Sequence, residues 1–178
     1  MERRDVVVTG AGAFAPNGKD LDSFWEGVTE GQSGVASIED RLDDDDFPVQ
    51  FASVIDDYNP ENYFSTRETR RLDKFVQFGI ISAQEALEDA GYDPEEPAYD
   101  EKRAGVVFGS GVGGLETLEE QQSKFDEKGP RRVSPYLIPK FIVNMVAGQI
   151  AIRANCQGPN KAVVTACASG NHAIGDAA

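Results

Sequence analysis

The sequence predicts an α/β fold built on a largely parallel sheet. Three observations carry that prediction. Short apolar runs at 6–10, 103–109 and 161–166 each stop at a tight turn of small residues. Stretches with an apolar period near 3.6 residues lie between them. The two kinds alternate along the chain, and alternation of strand and helix is the pattern of parallel sheets.

Taken in order, Val6-Val7-Val8-Thr9 reads as a buried strand, and Gly10-Ala11-Gly12 as the turn after it. Asp20 or Asp22 caps a helix that runs to Gly31 and puts Leu21, Phe24, Trp25 and Val28 on one face. Residues 41–47, with aspartates at 43–46, form a solvated loop. Residues 49–54 alternate as a short edge strand does. The clearest helix spans 67–90: Leu72, Phe75, Val76, Gly79, Ala83, Ala86, Leu87 and Ala90 fall on one stripe, and Gly91 ends it. The strand at 103–109 leads into Gly109-Ser110-Gly111-Val112-Gly113-Gly114 and then a helix over 115–127. Residues 139–154 are apolar on most sides and predict one buried helix. The strand at 161–166 ends at Cys167-Ala168-Ser169-Gly170, which opens a last helix.

A chain of 178 residues is long enough for one domain with a sizeable core. Its longest apolar stretch, near 141–152, is broken by Asn144, Gly148 and Gln149 and is too short to span a membrane. No secretory leader is signalled. The 31 acidic residues against 17 basic ones give a net charge of −14. That excludes nucleic-acid binding by counterion release, which needs the opposite sign. The acidity serves solubility or adaptation to high salt, and composition leaves both open. Two cysteines cannot make a disulfide framework, so a reducing, cytoplasmic setting is expected.

The segment from Val163 to Gly170 carries the most chemistry. An apolar strand stops at Cys167, and small residues lead straight into a helix. That arrangement lifts the sulfur onto the tip of a strand-to-helix turn. A helix N-terminus carries about half a positive charge, which favours thiolate over thiol. Backbone N–H groups of the turn can also stabilise an oxyanion. A buried, inert cysteine fits the same position, and residue types alone leave the choice open. Cys156, before Gln157-Gly158-Pro159, reads as a small filler in a turn, and Ser169 as a residue chosen for its size. Gly10-Ala11-Gly12-Ala13-Phe14-Ala15 has the loose form of a dinucleotide fingerprint, but Pro16-Asn17-Gly18 separates it from the next helix. Arg67, Arg70, Arg71 and Lys74 are spaced i, i+3, i+4 and i+7, which puts them on one helix face opposite the apolar stripe. They read either as a solvated face paired with Glu68 and Asp73, or as a docking ridge.

The chain resembles the N-terminal half of a β-ketoacyl-[acyl-carrier-protein] synthase of the KAS I/II type, KAS II above all. The resemblance rests on Val6-Val7-Val8-Thr9-Gly10-Ala11-Gly12, Ser23-Phe24-Trp25-Glu26, Arg71-Leu72-Asp73-Lys74-Phe75, Gly109-Ser110-Gly111-Val112-Gly113-Gly114-Leu115-Glu116-Thr117, Gly129-Pro130-Arg131-Arg132-Val133-Ser134-Pro135, Asn144-Met145-Val146-Ala147-Gly148, Gly158-Pro159-Asn160 and Thr165-Ala166-Cys167-Ala168-Ser169-Gly170, in the family's order and spacing.

It implies a thiolase-like fold, with residues 1–178 as an N-terminal half-domain that is incomplete after the nucleophile. It implies that Cys167 is that nucleophile in a decarboxylative condensation of an acyl thioester with a malonyl thioester. It places Val112 and Phe141 against the acyl chain, with plain core packing as the competing reading of both. It makes Arg67, Arg70, Arg71 and Lys74, extended by Arg131 and Arg132, a dock for the acidic acyl carrier protein. It implies a homodimer for the complete enzyme and neither a metal nor an organic cofactor. The rivals are a noncatalytic fragment that binds a carrier protein or dimerises, and a dinucleotide-binding oxidoreductase. The family's two histidines and lysine for decarboxylation lie in its C-terminal half. His172 is the only histidine here. It is expected about 140° around the helix from Cys167, in a structural or packing role. These residues alone are therefore expected not to elongate acyl chains, and to leave a sheet edge and the apolar face of 139–154 poorly covered.

Overall fold

A computed structural model describes residues 5–42, 47–93 and 99–178. The loop expected at 41–47 thus falls largely outside the described residues. The first helix, α1 (Leu21–Thr29), is capped by Asp20. Its carboxylate accepts the Ser23 N–H at 2.7 Å, while the Ser23 hydroxyl accepts from the Asp20 N–H. Such a capping box satisfies two orphan donors. The expected apolar face of α1 is not buried: Trp25 and Val28 are exposed, and only Gly27 is inside. Strand β1 (Val35–Ser37) pairs antiparallel with β2 (Phe51–Ser53). The second of these lies within the expected edge strand at 49–54.

The helix expected over 67–90 is two helices. The short α2 (Thr66–Thr69) is capped by Ser65 and Glu68, and α3 (Lys74–Asp89) is capped by Asp73, which accepts the Phe75 N–H at 3.1 Å. Helix α3 is the centre of the molecule. Val76, Ile80, Ile81 and Leu72 join Phe64, Val146 and Ile150 in one buried cluster. Gly79 lets the layers meet, because a Cβ there would stand 2.4 Å from Val146 Cγ2 and 2.9 Å from Phe108 Cζ.

Strand β3 (Val106–Gly109) is followed by α4 (Leu115–Lys128), α5 (Leu137–Phe141) and α6 (Met145–Arg153). The single helix expected at 139–154 is thus split at 142–144. Its apolar face is covered, not bare: Val146, Ala147 and Ile150 are buried against α3 and β3, and only Ile152 points out. Strand β4 (Asn160–Val163) pairs parallel with β3, from Val106↔Asn160 to Gly109↔Val163. It stops three residues short of the expected strand end. Helix α7 (Ser169–Ala177) packs across β3 and β4. Side chains alternate across a strand, so Phe108 faces α3 and α6 while Gly109 faces α7.

The buried strand expected at 6–10 is absent. Those residues have no strand partner among the described residues, and Val6, Val7 and Val8 are 62%, 74% and 88% exposed. A strand is defined by its ladder, so an apolar run with no partner stays extended chain. From Gly10 onward the chain runs along α3, and Phe14 packs edge-on against Tyr58 and Tyr63.

Candidate active site

The path from β4 to α7 is a closed elbow. After Val163 the chain turns through Thr165. It reverses at Ala166, whose φ of +50° lies in the left-handed region, and makes one 3-10 turn over Ala166–Ala168. Alanine in that region costs about 1–2 kcal/mol, so the surroundings must hold it. Three contacts do so. The Thr165 N–H donates to Ser169 Oγ at 2.9 Å, the Ser169 hydroxyl donates to the Ala166 carbonyl at 2.7 Å, and Thr165 Oγ1 shares a 2.8 Å hydrogen bond with His172 Nδ1. At the far end of the same pair, Lys161 Nζ meets Asp176 at 2.5 Å.

Cys167 sits at the tip of this elbow and is exposed. It precedes the first residue of α7 by two positions, not at the helix start as the sequence suggested. His172 accordingly does not sit across a shared helix from it. His172 reaches back to Thr165 and stays exposed, so of the two expected roles it shows a structural contact and not burial. Ser169 is 3% exposed and uses its hydroxyl as a bridge, so small size is not its only use. Sequence reasoning missed this pair. The available signal was a serine in the first turn of a helix, where its hydroxyl bonds a carbonyl three residues back.

The glycine-rich turn after β3 faces the elbow. A Cβ at Gly109 would be 2.3 Å from the Ser169 carbonyl oxygen, and one at Gly111 would be 3.8 Å from that of Ala166. Ser110 braces the turn: its N–H donates to the Val163 carbonyl at 3.1 Å and its Oγ accepts the Gly113 N–H at 3.2 Å. Val112 stands at the crest, 56% exposed. The Gly114 N–H donates to the Phe141 carbonyl at 3.0 Å, which hangs the half-buried Phe141 on the same turn. The glycine-rich turn thus lies beside Ala166, next to Cys167, on one side and is bonded to the Phe141 carbonyl, at the end of α5, on the other.

The four basic residues expected on one helix face, Arg67, Arg70, Arg71 and Lys74, do not share one. Arg67 lies in α2, Arg70 and Arg71 in the break after it, and Lys74 at the start of α3. Lys74 pairs with Glu116 at 3.1 Å, and Arg71 stacks on Tyr136. That stack ties the break to the segment following the turn Pro130–Arg132. Arg67, Arg70, Arg131 and Arg132 make no ion pair among the described residues. A cleft of about 260 Å³ opens in this region, lined by Tyr58, Asp73, Lys74, Thr117, Glu120 and Lys140, and not at Cys167.

The Gly10–Ala15 loop is no phosphate cradle. Two of its donors are already taken by carboxylates: Ala11 N–H by Asp89 at 2.9 Å, and Ala13 N–H by Glu85 at 2.8 Å. The N–H of Leu21, where α1 begins, also goes to Glu85, at 2.5 Å. Internal carboxylates thus occupy the positions a pyrophosphate would need, and the dinucleotide reading fails on geometry. Cys156, half-buried after α6, lies 3.7 Å from both Tyr99 Oη and the Ala154 carbonyl. Burial, helped by Tyr92 and Cys156, pushes the Tyr99 phenol well up.

Residues 3–178 match the family model of the β-ketoacyl synthase N-terminal domain, and the chain belongs to that family. It is 45% identical over 179 residues to 3-oxoacyl-[acyl-carrier-protein] synthase 2 of Vibrio harveyi, and 42% identical over 176 residues to the enzyme of that name from Staphylococcus aureus strain COL. It covers 100% and 99% of itself in these matches but 42% of each relative, so it spans less than half their length. Among solved structures, the ishigamide ketosynthase/chain length factor superposes with a TM-score of 0.78 at 26% identity, over 96% of this chain and 47% of that one. A type II polyketide ketosynthase, solved with its acyl carrier protein and bound to a hexaketide, gives 0.79 at 24% identity, over 96% and 44%. The fold is that of the ketosynthases.

Proposed function

We propose that this chain supplies the acyl-accepting half of a β-ketoacyl-[acyl-carrier-protein] synthase, with Cys167 as the nucleophile. The observation that carries this reading is the elbow, in which a residue of left-handed backbone is locked beneath an exposed cysteine. The Cys167 sulfur attacks the carbonyl carbon of an acyl thioester. A carbon–sulfur bond forms to Cys167, the one to the carrier breaks, and the carrier leaves as a thiol with the proton from Cys167. The tetrahedral intermediate carries its charge on oxygen. The Cys167 N–H, which no acceptor takes among the described residues, is the donor placed to meet it. In the second half-reaction a malonyl thioester loses CO₂, and the resulting carbanion attacks the acyl group. The new carbon–carbon bond releases a 3-oxoacyl thioester two carbons longer and expels Cys167 as a thiolate, which takes a proton from water to restore the thiol. The groups that assist decarboxylation in the resembled family have no counterpart among these residues. We assign Cys167 its role in the first half-reaction.

Val112 and Phe141 contact the acyl chain in this reading. Arg67, Arg70, Arg71 and Lys74, with Arg131 and Arg132, receive the acidic carrier protein, and a homodimer in the cytoplasm is the working form. No metal or organic cofactor enters either half-reaction.

The test is self-acylation. Incubation with an acyl carrier-protein thioester, followed by peptide mass spectrometry, should place one acyl group on Cys167 and none on Cys156. Cys167→Ala should abolish it. Labelling of Cys156 alone, or none under conditions where the chain is folded, overturns the assignment.

A further inference from the structure

We infer that Ser169 and His172 are positioning residues for Cys167, acting through Thr165. This rests on the nucleophile reading above. Thr165 is held from α7 at two atoms. Its backbone N–H goes to Ser169 Oγ at 2.9 Å and its hydroxyl to His172 Nδ1 at 2.8 Å. The Ser169 hydroxyl also donates to the Ala166 carbonyl at 2.7 Å. One buried oxygen therefore ties Thr165 and the reversing residue Ala166 to α7, and Cys167 and Ala168 ride on the loop it closes.

The physical need is specific. Left-handed alanine is unfavourable by itself, and 3-10 turns have poorer hydrogen-bond geometry than α-helix. Without the bridge the reversal relaxes, and the sulfur moves relative to the backbone donors around it. No other residue of α7 beside the elbow substitutes, because Gly170 and Ala173 carry no polar side chain and Asn171 makes no hydrogen bond to the elbow among the described residues. Gly109 fixes the other side: with no Cβ it admits the Ser169 carbonyl to within van der Waals contact of the end of β3. The bridge thus joins an elbow to a helix that cannot slide.

Misplacement by about 1 Å can cost on the order of 100-fold in a positioned reaction, whereas alkylation of an exposed thiol by a small reagent needs only access. The experiment exploits that split. Acylation of Cys167 by an acyl carrier-protein thioester and its alkylation by iodoacetamide are timed in the full chain and in Ser169→Ala, Ser169→Thr and His172→Ala. Amide hydrogen exchange at Thr165 is followed in parallel.

Ser169→Ala should slow acylation about 10- to 100-fold while alkylation stays within about threefold, and Thr165 should lose protection. Ser169→Thr, which keeps the bridging oxygen, should restore both. His172→Ala, at an exposed site that tolerates truncation, should slow acylation several-fold with the thermal midpoint unchanged. It carries the test if Ser169→Ala does not fold. Equal loss of acylation and alkylation, or protected Thr165 in Ser169→Ala, overturns the proposal. A wild-type chain that takes no acyl group while Ser169→Ala deprotects Thr165 overturns the nucleophile reading instead. The bridge is then a structural brace and the positioning role falls with the chemistry.

Discussion

The guanidinium of Arg71 lies over the ring of Tyr136, 5.1 Å from its centroid, and donates to the Tyr136 hydroxyl at 3.1 Å. Arg71 is thus engaged within the fold, as Lys74 is with Glu116, whereas Arg67, Arg70, Arg131 and Arg132 are not paired among the described residues. The cluster therefore separates into residues engaged within the fold and residues whose charge has no ion-pair partner among the described residues. Arg70→Glu and Arg131→Glu should weaken binding of the carrier protein, with a loss that shrinks as salt rises, because exposed charges are screened over about 10 Å at 0.1 M. Arg71→Ala should instead lower stability by about 0.5–1 kcal/mol, the usual size of an exposed cation–π contact. Binding titrations at two salt concentrations and denaturant melts measure both. An unchanged dissociation constant for the Glu variants at low salt returns the cluster to a solvated face.

Two glycines should respond in opposite directions. A Cβ at Gly109 meets only backbone: Ser169 O at 2.3 Å, Ser169 C at 2.4 Å and Gly170 N at 2.7 Å. No rotamer relieves that, so β3 and α7 must part. Gly109→Ala should cost about 1–3 kcal/mol, the range for overpacking. Gly148 lies within α6 with nothing inside 4 Å of its Cβ position. Gly148→Ala should stabilise by about 0.5–1 kcal/mol through helix propensity. Denaturant unfolding of the pair gives both signs in one experiment.

The sequence shows what local periodicity can show. The stripe through Val76, Gly79 and Ala83 is visible as a helix because its apolar spacing is local. The break before it was also written in the chain: Ser65 with Glu68 three residues on is a capping box, and Asp73 is an N-cap residue type. The apolar stripe, which already includes Leu72, hides that break. By contrast, β1 exists because Val35 meets Ser53, and 6–10 is not a strand because no described segment meets it. Such pairings are tertiary and leave no local mark. At the site, Cys167 after an apolar run before small residues was legible. The left-handed Ala166 and the Ser169 bridge were not, since neither residue type announces a reversal.

Glu68 makes stability sensitive to acid. Hydrogen bonds from the Ser65 hydroxyl and backbone, then the charge of Arg153, hold its carboxyl below the ordinary value of 4.5. Arg153 Nη2 meets Glu68 Oε1 at 2.8 Å, which ties α2 to α6. A carboxyl whose folded pKa is depressed contributes stability that is present above its unfolded value and is lost as pH falls through the folded one. Melting temperatures should therefore fall below about pH 4.5, and Glu68→Gln should flatten that part of the profile while lowering stability at neutral pH. Ser65→Ala should cost about 1 kcal/mol as a lost cap. An acid profile identical in Glu68→Gln and wild type removes Glu68 from the explanation.

The two cysteines should differ in reactivity toward a small alkylating agent, and access decides the direction. Cys167 is exposed at the tip of the elbow, while Cys156 is half-buried with Sγ 3.7 Å from both the Tyr99 hydroxyl and the Ala154 carbonyl. Tyr99 stacks on Tyr92 at 5.1 Å between centroids, and the Tyr92 hydroxyl reaches the same Ala154 carbonyl at 2.5 Å. Reaching Cys156 therefore means opening a packed pair of rings, a local unfolding step with its own free energy. Reaching Cys167 requires none. Brief iodoacetamide treatment near neutral pH should modify Cys167 first, and low denaturant should accelerate Cys156 far more than Cys167. Peptide mass spectrometry over a time course resolves the two. Equal rates without denaturant would mean that the tyrosine pair does not shield Cys156, and faster labelling of Cys156 would mean that the Cys167 sulfur does not stand free on its turn.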